Sequence, residues 1–281
     1  MPTSRLLYRL IATMGLVVLM CCGAPEVHAE TAPEPGSPTF SHADWAMVLE
    51  RFVDDRGRVD YEGLAKHRED LDRYLASVRA VSPDSNPDLF ADDDAALAYY
   101  LNAYNAMVFA GVLAKGPDID SVWGWTGTGA GFFVGMDITI GGKKTNLKKL
   151  EDDVVRARFH DPRVHAALNC ASLGCPRLPR EPFLGESLEN QLDAAIREFV
   201  ARPDVVALDS ASGTVRLSKI FDWFAEDFLD YERRQGAASP SVLGYINRYR
   251  PAAAETPTGS KVDFIPYDKR LNSQEPREGS D

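Results

Sequence analysis

From Ser41 onward, stretches in which apolar residues return every three or four positions are broken by short stretches of strict alternation, a rhythm that predicts helices joined to hairpins. Trp45, Val48, Leu49 and Phe52 share one face of a helix that Ser41 or Asp44 can cap. Leu64, Leu71, Tyr74, Leu75 and Val78 do the same around Glu62 to Val78. Asp92, Asp93 and Asp94 then open AALAYYLNAYNAMVFAGVLAKG, with acids at the positive end of the helix dipole and Gly116-Pro117 as the stop. This helix is apolar nearly all round and belongs in the middle of a core. Burial there makes Asn102 and Asn105 costly unless each is hydrogen-bonded. Two readings of the pair stand, a buried network that fixes packing and a place in a functional site.

The next segment, SVWGWTGTGAGFFVGMDITIGGKKTNL, reads as a glycine-rich loop and then a β-hairpin, because Met136 to Ile140 alternates and Gly141-Gly142 follows. Thr145 or Asn146 caps LKKLEDDVVRARF, which carries Glu151, and the short apolar run Val164 to Leu168 predicts a buried strand. A helix near Leu188 to Val200 precedes a second hairpin, Val205 to Leu208 with Thr214 to Leu217. Ser218 caps the aromatic helix KIFDWFAEDFLDY, and a last helix lies near Val242 to Tyr249. The fold expected is α+β: a single, mostly helical domain over 41–272 with a buried central helix and two short β-hairpins. The Pro-rich run 30–40 reads as a linker, and the polar residues 273–281 as a disordered tail.

Composition changes this picture in two ways. A net charge of −11 with no basic stripe excludes a phosphate-backbone footprint, so nucleic acid is not an expected partner. The first 29 residues combine Arg5 and Arg9, an uncharged apolar run from Leu10 to Cys22, and small residues at Val27-His28-Ala29, the layout of a secretory signal. Export to the periplasm or the extracellular space follows. A loosely lipoprotein-like box, Leu19 to Gly23, makes lipid anchoring at Cys22 the lower-ranked alternative. Removing residues 1–29 takes Arg5, Arg9 and Glu26 from 31 basic and 42 acidic residues, leaving 29 and 41, with Cys170 and Cys175 the remaining cysteines. No membrane-spanning helix is expected in that mature chain. No cofactor is expected either, since the glycines match neither GxxxxGK[ST] nor GxGxxG.

The blocks YYLNAYNAMV, LKKLE, DPRVHAALNCASLGCPRL, SKIFDWF and IPYDKRLN resemble, in that order, those of the domain of unknown function 547 family, over about residues 56 to 272. The resemblance implies an exported or membrane-associated bacterial domain whose activity has no settled assignment. It marks Asn102, Tyr104, Asn105, Glu151, Arg163, His165, Cys170, Cys175, Pro176, Asp268 and Asn272. Lys269 departs from the aromatic that the family often has after the YD pair.

Three chemistries compete for HAALNCASLGCPRL. Two cysteines in an exported chain, with four residues between them including Gly174, favour a disulfide between Cys170 and Cys175. His160, His165, Cys170 and Cys175 recur at intervals of five, but structural zinc ligands pair two to four apart, so no metal site is expected. A thiolate needs a neighbouring base, and a strand turns His165 away from Cys170 unless the chain bends after Leu168, which Asn169, Ala171 and Ser172 permit. Papain-like and transglutaminase-like enzymes also set a core helix before a His-bearing strand, although Asn102 stands here where their cysteine would.

The site expected is a polar pocket centred on His165, with Cys170, Glu151, Asn102 and Asp268 as catalytic candidates and Asn105, Tyr104 and Arg163 as substrate-binding ones. The function expected is that of a hydrolase or acyl-type transferase acting on a small-molecule or envelope substrate. The alternative is a non-catalytic envelope binding or structural module stapled by Cys170–Cys175. Alkylation of the native protein followed by mass spectrometry separates the chemistries. Labelling of Cys170 only after reduction is the expected result, and labelling without reduction removes the bridge.

Overall fold

The computed structural model describes residues 39–124, 127–209 and 211–274. The expected signal segment 1–29 with Cys22, linker residues 30–38 and residues 275–281 lie outside the described residues. Within the expected linker, Phe40 donates its backbone N–H to Leu89 and packs edge-on against Tyr99. Within the expected tail, Ser273 bridges Val59 and the Gln274 side chain bonds Phe52 and Arg58 carbonyls.

The chain opens with α1 (Ala43–Phe52), and the single helix expected around Glu62 to Val78 is two, α2 (Tyr61–Lys66) and α3 (Glu69–Ala80), interrupted at His67 and Arg68; the inward faces carry the predicted apolar residues. The long helix α4 (Asp93–Lys115) forms because Asp92 caps it, its carboxylate accepting from the Ala95 N–H at 2.8 Å, and it stops at Gly116. It is long and apolar enough to cross a membrane, yet it is buried inside the protein. Trp45 of α1, Tyr74 of α3 and Phe109 of α4 form its aromatic contact with the first layer. Gly185 lets a later turn touch the start of α4; a β-carbon there would lie 2.9 Å from Ala95 Cα.

After α5 (Ala130–Phe133), the expected hairpin forms from β1 (Ile138–Ile140) and β2 (Lys143–Thr145), antiparallel. Asn146 caps α6 (Leu147–Lys149), which runs into a π-helical stretch, Leu150–Arg156, and then α7 (Ala157–Phe159). The widened turn is a local departure from the regular helix that the sequence suggests, of a kind often found at functional sites.

The expected strand at Val164 to Leu168 is instead a 3-10 helix, Pro162–Ala166. Proline at its first position fixes φ, and the Asp161 side chain accepts from the Arg163 N–H, so local capping decides a run too short for periodicity to assign.

A second hydrophobic cluster gathers α8 (Leu188–Ala201), β3 (Val206–Asp209), β4 (Thr214–Ser218), α9 (Ile220–Trp223), α10 (Ala225–Arg234) and α11 (Val242–Tyr249). The second hairpin acquires a third strand, β5 (Lys261–Ile265), parallel to β4 with Val215 opposite Val262. The free edge of β4 needs a partner, and the intervening helices supply the long crossover that a parallel pair requires.

Asn105 of α4 ties the core to the cysteine loop: its Nδ2 donates to the Ala167 carbonyl at 3.1 Å and its Oδ1 accepts from the Asn169 N–H at 2.9 Å. Asn105→Ala leaves both buried backbone groups unpaired. A loss of about 2–4 kcal/mol in urea denaturation is expected, and an unchanged midpoint would show that these bonds add nothing.

Candidate functional site

A cleft of about 380 Å³ opens where the two hydrophobic clusters meet. Trp123, Phe133, Trp223, Phe224 and Tyr267 form its aromatic walls, and Tyr104, Glu151, Arg156, His165, Cys170 and Cys175 bring chemistry to it. Trp223 is 44% exposed, so the aromatic face is available at the mouth.

His165 stands on the 3-10 helix, 4% exposed, with its ring stacked 4.0 Å from that of Phe224. Its Nε2 lies 2.7 Å from Asp227 Oδ2, and a carboxylate can only accept, so Nε2 carries the proton. No hydrogen bond among the described residues engages Nδ1. Asp227, on α10, also receives both arms of Arg156, Nε at 2.7 Å and Nη2 at 3.0 Å, and the Arg156 guanidinium lies over the Phe224 ring. Burial alone would raise the Asp227 pKa, but the hydrogen bonds from His165 and Arg156 outweigh it and hold the carboxyl well below the usual range. Burial pushes His165 below the ordinary imidazole value, with Asp227 opposing. The result is a neutral imidazole oriented by a fixed carboxylate.

Glu151 comes from the π-helical stretch. Burial raises its carboxyl to about 7, a shift that Lys148 only partly opposes, and the Tyr104 hydroxyl sits 3.3 Å from its Oε2. Across the same cleft therefore sit an acid that holds its proton near neutrality and a base that does not. Pairs whose environments push protonation in opposite directions are the usual raw material of acid–base catalysis.

Cys170 and Cys175 are free thiols in the structure rather than the disulfide favoured by the sequence, with sulfurs 2.6 Å apart and the Tyr267 hydroxyl 3.0 Å from each. The hydrogen bond with Cys175 and burial push the Cys170 thiol up. Burial also opposes ionisation of Cys175, but hydrogen bonds from Cys170, Tyr267 and two backbone N–H groups bring it below the ordinary thiol value. The chain does bend after Leu168, with Ala171 at φ 58° and its N–H held by the Asn169 side chain. That bend does not join His165 to Cys170: the imidazole proton goes to Asp227, and the Cys170 sulfur meets Cys175, Tyr267 and Ser172.

Of the residues singled out in the sequence, His165, Cys170, Glu151 and Tyr104 meet at the cleft with Cys175 and Pro176. Asn102 does not; it bonds both backbone groups of Phe183 and faces His42. Asn105 holds the loop from behind, as described above. Arg163 ties the 3-10 helix to α8 through Asp161, Glu189 and Asp193, so it faces carboxylates already present. Asp268 is clamped by Arg270, while its carbonyl receives the Gly174 N–H. Sequence reasoning missed Asp227, Arg156 and most of the aromatic wall. The available signal was in KIFDWFAEDFLDY, where Phe224, Asp227 and Phe228 share one helical face and an acid interrupts an aromatic stripe. Among the described residues no three His, Cys, Asp or Glu side chains converge as a metal centre requires.

Asp227→Asn removes the anion that holds His165 and half the partners of Arg156. The His165 pKa is expected to fall further, because burial and Arg156 are then opposed by Asp161 alone, and stability to fall by about 1–3 kcal/mol. NMR titration of the imidazole checks the first, and a value that rises instead would remove Asp227 from its role.

Residues 89–200 match the family described as a protein of unknown function, DUF547. No curated protein and no solved structure matches the chain. The matched stretch holds α4, the π-helical stretch, the His–Cys block and α8, a shorter span than the resemblance of sequence blocks outlines. Trp223, Phe224 and Tyr267, which complete the cleft wall, and Asp227, which holds His165, lie beyond it. Residues 89–200 of this chain are thus a DUF547 domain.

Proposed function

We propose that this is an exported cell-envelope hydrolase or acyl-type transferase that works by general acid–base chemistry of Glu151 and His165 in the aromatic cleft. The observation that carries the reading is the opposed protonation of the two groups: Glu151 raised to about 7 and His165 lowered, both lining one cavity. Water, or a hydroxyl acceptor in the transferase case, loses its proton to His165 Nδ1 as its oxygen bonds the electrophilic carbon. Glu151 gives its proton to the leaving group as the old bond breaks. Asp227 fixes the tautomer that leaves Nδ1 free and stabilises the imidazolium as it forms, the part a carboxylate plays behind any catalytic histidine.

The thiols take no part in this reading. The Cys170 thiol, raised by burial and by Cys175, is a poor nucleophile. In the oxidising compartment that the signal segment implies, exchange with a disulfide oxidant, which leaves as a dithiol with the two electrons and two protons, bonds Cys170 to Cys175 and stiffens the loop beside the histidine. Their sulfurs, 2.6 Å apart, need little movement to do so. The same closeness favours the second reading, a stapled non-catalytic binding module, in which the cleft holds a ligand without turning it over.

The two readings part in a pH profile. With alkyl esters as probes, whose alkoxide leaving group needs a proton, turnover is expected only where His165 is neutral and Glu151 protonated. It should therefore fall on the acid side as the imidazole charges, below its ordinary value of about 6.5, and on the alkaline side as Glu151 ionises near 7. Glu151→Gln and His165→Asn should each lose about 10²–10⁴-fold, while Cys170→Ser retains turnover. Absence of turnover in the wild type, or its abolition by Cys170→Ser in folded protein, would sink the acid–base reading. Stability gives an independent check. A carboxyl whose folded pKa is raised contributes stability below its unfolded value and loses it as pH rises through about 7. Glu151→Gln should therefore stabilise the protein at pH ~8 by about 1 kcal/mol and leave it unchanged near pH ~4.

A further inference from the structure

A second, smaller cavity of about 160 Å³ shares Cys175 and Pro176 with the cleft and has a different character. Arg56, Arg58, Arg177 and Arg202 line it against one carboxylate, Glu198, in a chain whose net charge is −11. Two of the four arginines are already matched. Arg177 forks onto Glu198, and Arg202 pairs with Asp204 and donates to the Cys175 carbonyl at 2.9 Å.

The other two are not. Among the described residues neither the Arg56 nor the Arg58 guanidinium has a hydrogen bond or an ion pair; the Asp54 carboxylate beside them is taken by their backbone N–H groups, at 2.9 and 2.8 Å. Asp268, whose field reaches Arg58, is clamped by Arg270. The turn that presents the pair is fixed. Gly57 sits at φ +74°, its N–H bonds the Asp54 carbonyl at 2.9 Å, and a β-carbon there would lie 2.6 Å from Arg177 Cγ and Leu178 N. Only glycine lets this turn press so closely on the segment after Pro176. Two unmatched forks are therefore held at the rim of a concavity in an otherwise acidic protein.

We propose that this cavity is an oxyanion site that binds a phosphate-type dianion through Arg56 and Arg58. Two guanidiniums that make no ion pair among the described residues keep their forks open, and the planar fork fits phosphate oxygens in pairs. The bound group is either free phosphate or the phosphoryl end of a monoester, which present the same oxygens.

Calorimetric titration of the full chain with inorganic phosphate, and in parallel with phenyl phosphate, tests this. Saturable binding is expected. It should weaken at least about tenfold in R56Q/R58Q and stay unchanged in K143Q/K144Q, which makes the same charge change on exposed β2. R58K keeps the charge without the fork and is expected to bind more weakly than wild type. Tighter binding of phenyl phosphate supports a monoester occupant, and the reverse supports free phosphate. No saturable binding by wild type, equal loss in both double variants, or wild-type affinity in R58K would overturn the site.

Discussion

Three buried asparagines hold this domain in register. Asn105 reaches from the central helix to Ala167 and Asn169; Asn169 bonds Pro176 and Ala171 across the cysteine loop; Asn272 donates to Asn169 and accepts from Tyr61. The backbone joins in, since the Asn272 N–H bonds Ala171 and the Asn272 carbonyl accepts from Val59. Each amide is buried, so each bond left unmade would cost more than a made one contributes, and the network therefore specifies one arrangement of four distant segments. The turn at Ala171, in a left-handed conformation that a non-glycine residue seldom adopts, is maintained by this network.

The cleft is a consequence of that arrangement. The loop fixes the cysteine pair against Tyr267, and the 3-10 helix before it fixes His165 against α10. The π-helical stretch turns Glu151 toward Tyr104. One cluster supplies the acid and the other supplies Asp227, so the opposed protonation of Glu151 and His165 comes from the meeting of two separately buried surfaces. Arg156 spans that junction. It anchors Asp227 and covers Phe224, and so keeps the carboxylate charged beside an apolar ring.

Legibility in the sequence followed the range of the forces involved. The buried helix, its caps and the hairpins come from local pattern, and the structure has them. His165, Glu151, Tyr104 and Cys170 were legible as a group because the family blocks carry them, and they do converge. The strand expected at Val164 to Leu168 gives way to a 3-10 helix: a run of five residues, four apolar and one histidine, fits strand and helix alike, and Pro162 with Asp161 settles the matter. The same family blocks carry Asn102, Arg163 and Asp268, which do not reach the cleft. In the fold each finds a nearer partner: the Phe183 backbone, the acids of α8 and of Asp161, and Arg270.

By itself the sequence determined the mostly helical α+β class, the central position of the Asp93–Lys115 helix, and the family to which residues 89–200 belong. Those rest on periodicity, capping and motif order, which are properties of neighbouring residues. Only the tertiary structure decided that His165 answers to Asp227, 62 positions away, rather than to the cysteines five and ten positions along. Spacing along the chain orders contacts within one helix or turn. Which carboxylate reaches a buried imidazole is set by the packing of separate elements, and here the face of α10 turned to the core is what put Asp227 there.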